Sequence, residues 1–72
     1  MYGTAGLPDI ICCIGGRFVA FEVKTESGRL TKLQDATIRK IRRAKGEACK
    51  VTSVEEVRAV IGGLKNNRNF GG

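Results

Sequence analysis

The sequence predicts a small α/β domain in the order strand, strand, helix, strand, helix, with the helices packed on a small mixed sheet. Three observations carry that prediction. A Gly-Gly pair separates two strand-like runs, and the spacings Thr31-x-x-Gln34 and Ser53-x-x-Glu56 each open a stretch of helical apolar periodicity. A further short apolar run lies between those two stretches.

Taken in order, Asp9 to Ile14 is apolar and Arg17 to Lys24 is rich in β-branched and aromatic residues. Gly15-Gly16 between them suits a two-residue hairpin turn, because glycine adopts the positive φ such turns require. Thr31 then caps a basic amphipathic helix whose apolar stripe, Leu33, Ile38, Ile41 and Ala44, runs to Lys45 ahead of Gly46. Ala48 to Thr52 forms a third strand. Ser53 opens a second helix whose apolar positions are Val54, Val57, Val60 and Ile61, expected to stop at Gly62-Gly63 because glycine commonly ends helices. Residues 1–64 therefore read as one domain, and residues 65–72, with little to bury, as a flexible tail.

A chain of 72 residues buries only about 60% of its unfolded surface, so a second copy is an expected source of stability. Hydrophobic residues at 42% and charged residues at 28% exclude a disordered tail. No apolar run approaches the roughly 20 residues of a membrane span, and Met1-Tyr2-Gly3-Thr4 does not begin a secretory signal, so the expected location is the cytoplasm. Three cysteines and no histidine give neither a disulfide framework nor a zinc site. All three, Cys12, Cys13 and Cys49, read as reduced core residues. The formal charge of +6 suits a polyanionic partner, and equally serves solubility.

The hairpin register gives these residues a chemistry. With Gly15-Gly16 as the loop, Ile14 faces Arg17, and each step outward continues the pairing until Asp9 lies opposite Glu22. Opposed side chains have Cβ atoms about 4.5–5.5 Å apart, and Lys24 emerges on the same face one pleat further on. Two facing carboxylates repel unless a cation sits between them, and a hard ion such as Mg²⁺ or Mn²⁺ takes oxygen ligands of this kind. Asp9 and Glu22 are thus candidate ligands, with the Val23 carbonyl as a third. Lys24 is placed to stabilise negative charge developing on a phosphate. The competing reading makes Glu22 and Lys24 solvent-facing strand residues and Asp9 a turn residue after Pro8; a bulge in the hairpin would also part the two carboxylates.

Gly6-Leu7-Pro8-Asp9, Glu22-Val23-Lys24, Gly28-Arg29-Leu30 and Gln34 together resemble the virus-type replication-repair nuclease (VRR-NUC) domain, a branch of the PD-(D/E)xK superfamily, over roughly residues 3–64. The resemblance implies a restriction-endonuclease-like core in which Asp9 and Glu22 bind a catalytic Mg²⁺ or Mn²⁺, the Val23 carbonyl assists, and Lys24 is the catalytic lysine. It implies that Gln34 positions the lysine or the attacked water, while the capping-box reading gives Gln34 a structural role. Members act on branched or flapped DNA in repair and phage replication, and stand-alone minimal versions resemble homodimeric Holliday-junction resolvases. The implied setting is a bacterial or phage-infected cell. Family members usually carry a preceding helix and strand with a further acidic residue, whereas eight residues precede Asp9 here. The expectation is therefore a shortened form or a site completed by another subunit.

Arg29, Lys32, Arg39, Arg42 and Arg43 are the candidate DNA contacts, with Lys40 and Lys45 in the same basic stretch. Cations of this kind grip phosphates without reading sequence. No aromatic set spaced for base stacking accompanies them, since Tyr2 and Phe70 lie near the ends. Against an endonuclease on structured DNA stand two alternatives: a non-catalytic DNA-binding or assembly module with the same fold, and an RNA-directed nuclease with the same metal chemistry.

Overall fold

A computed structural model describes residues 6–66. Its elements are β1 (Ile10–Ile14), β2 (Arg17–Val23), α1 (Lys32–Arg43), β3 (Glu47–Val51) and α2 (Val54–Asn66), the predicted order. Gly15 and Gly16 have φ of 59° and 82°, the left-handed pair of a two-residue hairpin turn. They hold the expected register from Ile14 opposite Arg17 to Ile10 opposite Phe21. The sheet order is β1-β2-β3, and β3 runs parallel to β2 because α1 carries the chain back across the sheet.

Strand alternation divides the apolar residues between two faces. On one, Val19, Phe21 and Val51 are buried beneath Val57, Val60, Ile61 and Leu64 of α2, with Cys12, Ile14 and Cys49 at the margin. Full burial of side chains such as Val19 and Phe21 is worth about 1.5–3 kcal/mol each. On the other face, Ala20 and Ala48 are small enough for α1 to pack directly over them through Ile38 and Ile41, joined by Leu30. All three cysteines are free; Cys12 and Cys49 are half-buried and Cys13 is exposed, so Cys13 is not the core residue expected of it.

The Thr31 capping box forms in both directions. At the other end of α1, Gly46 N–H donates to the Ile41 carbonyl and Lys45 N–H to the Arg42 carbonyl, so the helix closes in a Schellman motif with Lys45 in the left-handed conformation. Ser53 caps α2 by accepting from Glu56 N–H, but Glu56 reaches past Ser53 to accept from Thr52 N–H. The expected stop at Gly62-Gly63 does not occur. Leu64 continues the stripe of Val57, Val60 and Ile61 onto the core, and burying it outweighs the poor helix propensity of two glycines. Lys65 and Asn66 are accordingly helical rather than the start of a tail, and residues 67–72, like Tyr2, lie outside the described residues.

Candidate active site

The segment Gly6-Leu7-Pro8-Asp9 delivers the first carboxylate, and each residue has a physical reason. Gly6 has φ of 91° and lies so close to α1 that a Cβ there would sit 2.7 Å from Leu33 Cγ, which anchors the segment beside the start of the helix. One further step of the hairpin register would place Val23 opposite Pro8, which has no N–H to give to the Val23 carbonyl. The ladder therefore ends at Ile10. Asp9 Oδ2 takes over by accepting from Val23 N–H at 2.9 Å, and in an extended strand the Val23 carbonyl points to that same side. Proline thus leaves the Val23 carbonyl without its ladder donor where the carboxylate arrives.

Glu22 is buried, at 4% exposure, and so is not the solvent-facing strand residue of the competing reading. Ala20 on the same face and Gln34 above it explain the difference. Glu22 Oε2 accepts from Gln34 Nε2 at 3.2 Å, while Gln34 Oε1 accepts from Thr31 N–H at 2.9 Å. Oε1 thus fills the capping-box role expected of Gln34, and Nε2 holds the Glu22 carboxylate. Glu22 Oε1 is buried and, among the described residues, has no hydrogen-bond partner. Burial raises the Glu22 pKa above its ordinary value; the adjacent Asp9 carboxyl raises it further, through a hydrogen bond that exists only when one of the two is protonated and through charge repulsion; Lys24 pulls the other way. Asp9, Glu22 and Lys24 therefore share one neighbourhood.

An acceptor buried without a donor among the described residues, beside a second carboxylate and the Val23 carbonyl, is the donor set a hard divalent cation takes. Asp9, Glu22 and Val23 fit Mg²⁺ or Mn²⁺. Among the described residues no group of three or more His, Cys, Asp or Glu side chains surrounds a common point, so the set consists of two carboxylates and backbone.

The basic residues are distributed differently from the acidic ones. Arg29 and Lys32 are exposed at the site end of α1, while Arg39, Arg42 and Arg43 lie further along it, Arg43 about 13 Å from the level of Gln34 at 1.5 Å per residue. At about 100° per residue, Lys32, Arg39 and Arg43 form one stripe on the side of α1 away from the sheet. Arg39 pairs with Asp35 at 3.0 Å on that exposed surface. Arg42, though exposed, reaches β3, where its Nε donates to the Ala48 carbonyl at 2.9 Å. Its expected place among the DNA contacts is thus partly given over to fastening α1 to β3.

Lys50 escaped notice in the sequence. It stands beside Glu22 in the parallel register of β2 and β3, and a parallel pairing across a helix leaves no turn from which to read that alignment. No family model, no curated protein and no solved structure matches the chain.

Proposed function

We propose that this chain is a Mg²⁺- or Mn²⁺-dependent endonuclease that hydrolyses phosphodiesters in branched or structured DNA, of the Holliday-junction or flap type, in replication, repair or phage DNA processing. The observation that carries the reading is Glu22 Oε1, a buried acceptor without a donor among the described residues, beside a second carboxylate. Such an arrangement is costly in a protein with no cation to put there. The resemblance of the Gly6–Asp9, Glu22–Lys24 and Gln34 segments to VRR-NUC nucleases supports the same reading.

Asp9, Glu22 and the Val23 carbonyl hold the ion, and Gln34 keeps the Glu22 carboxylate turned toward Asp9. When bound, the cation supplies a water of lowered pKa and neutralises charge on the phosphoryl oxygens. Lys24 stabilises the negative charge that builds on the attacked phosphate and orients the attacking water. Arg29 and Lys32 take phosphates next to the cut, and the Arg39–Arg43 stretch takes phosphates further along a duplex arm. The functional unit in this reading is a homodimer in the cytoplasm of a bacterial or phage-infected cell. Among the described residues no helix is long and apolar enough to cross a membrane. The exposed Ile10 and Ile11 of the edge strand β1, with exposed Phe18 on β2, support a second copy.

One observation favours a second reading, a DNA-binding or assembly module without activity: among the described residues the set holds two acidic side chains and no third. A single experiment separates the two. Purified protein is given a labelled four-way junction or flap with Mg²⁺ or Mn²⁺, and Lys24→Ala is assayed beside it. Cutting is expected from the parent protein, with a loss of roughly 100-fold or more in Lys24→Ala at nearly unchanged junction affinity. A parent protein that binds the junction and never cuts it supports the module instead.

A further inference from the structure

We propose that Lys50 is a positioning residue for Lys24, acting through Gly28; for its catalytic consequence this rests on the nuclease reading. Lys50 lies across the parallel β2–β3 pairing from Glu22, on the same face of the sheet and about 4.8 Å away in backbone spacing. A lysine so placed has a buried carboxylate within reach. Its ammonium instead donates to the Gly28 carbonyl at 3.1 Å, and Lys24 is the cation that acts on Glu22.

Gly28 is the far end of the turn that follows Lys24. Its N–H donates to the Thr25 carbonyl at 2.9 Å, closing residues 25–28 on themselves. A Cβ on Gly28 would lie 3.2 Å from Lys24 Cβ and 3.1 Å from Thr25 Oγ1, so the turn leans directly on the root of the Lys24 side chain. Thr25, Glu26 and Ser27 are exposed. The Lys24 backbone is fixed to β3 by its N–H on the Val51 carbonyl at 2.9 Å, and Lys50 ties the other end of the turn to the same strand. Lys24 therefore leaves the sheet between two anchors on β3. Removing the Lys50 anchor lets Gly28 move away from Lys24 Cβ and widens the range of directions open to the Lys24 ammonium. Misplacement of a catalytic group by about 1 Å costs as much as 100-fold in rate.

The test is steady-state cleavage of a labelled four-way junction with Mn²⁺ by the parent protein, Lys50→Ala, Lys50→Arg and Gly28→Ala, with thermal melts to verify folding. Lys50→Ala is expected to lower kcat by roughly 10- to 100-fold at unchanged KM. Lys50→Arg, which still donates to a carbonyl, recovers most of the rate. Gly28→Ala reproduces the loss, and Lys50→Ala adds little to it in the double variant, as coupled neighbours require. An unchanged kcat overturns the proposal; so does a loss confined to KM and junction affinity with a shallower salt dependence, since that makes Lys50 a phosphate contact. A second readout uses the protein without DNA: the side-chain methylene resonances of Lys24, assigned through Lys24→Arg, should move in Lys50→Ala and return toward their parent positions in Lys50→Arg. If the parent protein cuts nothing, the nuclease reading fails by itself, and Lys24 resonances that stay in place in Lys50→Ala overturn the positioning role independently.

Discussion

Glu22 carries the chemical tension of this molecule. Its pKa is raised, so the folded state holds the proton more tightly than the unfolded chain does. Stability from this group is complete below the ordinary carboxylate range and is lost as pH rises from there through the raised value. Glu22→Gln replaces the repelling oxygen with an amide that can donate to Asp9. Without divalent ions and at neutral pH it should stabilise the fold by about 1 kcal/mol. In thermal melts that is a gain of about 4–8 °C in Tm, with a flatter pH dependence between mild acid and neutrality. The same variant should lose cleavage and any stabilisation by Mn²⁺. A Glu22→Gln protein that melts lower than its parent in EDTA would show that the carboxylate is satisfied by the protein alone. The nearness of Asp9 to Glu22 was legible because a two-residue glycine turn sets the register as far as Ile10 opposite Phe21, although the ladder stops there and Asp9 meets β2 through its side chain. The depth of Glu22 was not, since it depends on Gln34 arriving from a helix ten residues on.

At the scale of elements, local signals were read well and competition between signals was not. Thr31 and Gln34 announce the start of α1, and Ser53 the start of α2, because capping is a local hydrogen-bond exchange. Gly62-Gly63 announces an end that Leu64 overrides by packing on Val19, Phe21 and Val51, and that cluster is assembled only in the folded chain. A Cβ on either glycine meets nothing within 4 Å, and neither has positive φ. Gly62→Ala and Gly63→Ala should therefore each stabilise the protein by about 0.8–1 kcal/mol, measured by urea unfolding at constant m-value. Were Gly62 or Gly63 a left-handed cap, the alanine would destabilise instead. The parallel register that sets Lys50 beside Glu22 belongs with the illegible features, since α1 and its connections could deliver β3 at several offsets.

At the scale of the molecule, two helices pack on a three-stranded sheet in which, among the described residues, no further strand pairs with β1. From Ile10 to Ile14 this edge bears no charge, and Ile10 and Ile11 are 43% and 53% exposed, with Phe18 beside them at 45%. Edges of this kind pair readily with another strand. Light scattering over a concentration series should show the mass of the parent protein rising to twice the monomer value, while Ile11→Lys, which sets a charge on the edge, remains monomeric. A parent mass that stays at the monomer value throughout would remove the homodimer. The site itself is separable from that question, because Asp9, Glu22, Val23, Lys24 and Gln34 all come from one chain. The measurement that tests it most directly is anomalous diffraction from crystals soaked in Mn²⁺. A divalent site predicts a peak between the Asp9 and Glu22 carboxylates, within coordination distance of Glu22 Oε1 and the Val23 carbonyl. Crystals that keep the fold but show no peak there, or show one only elsewhere, would contradict it.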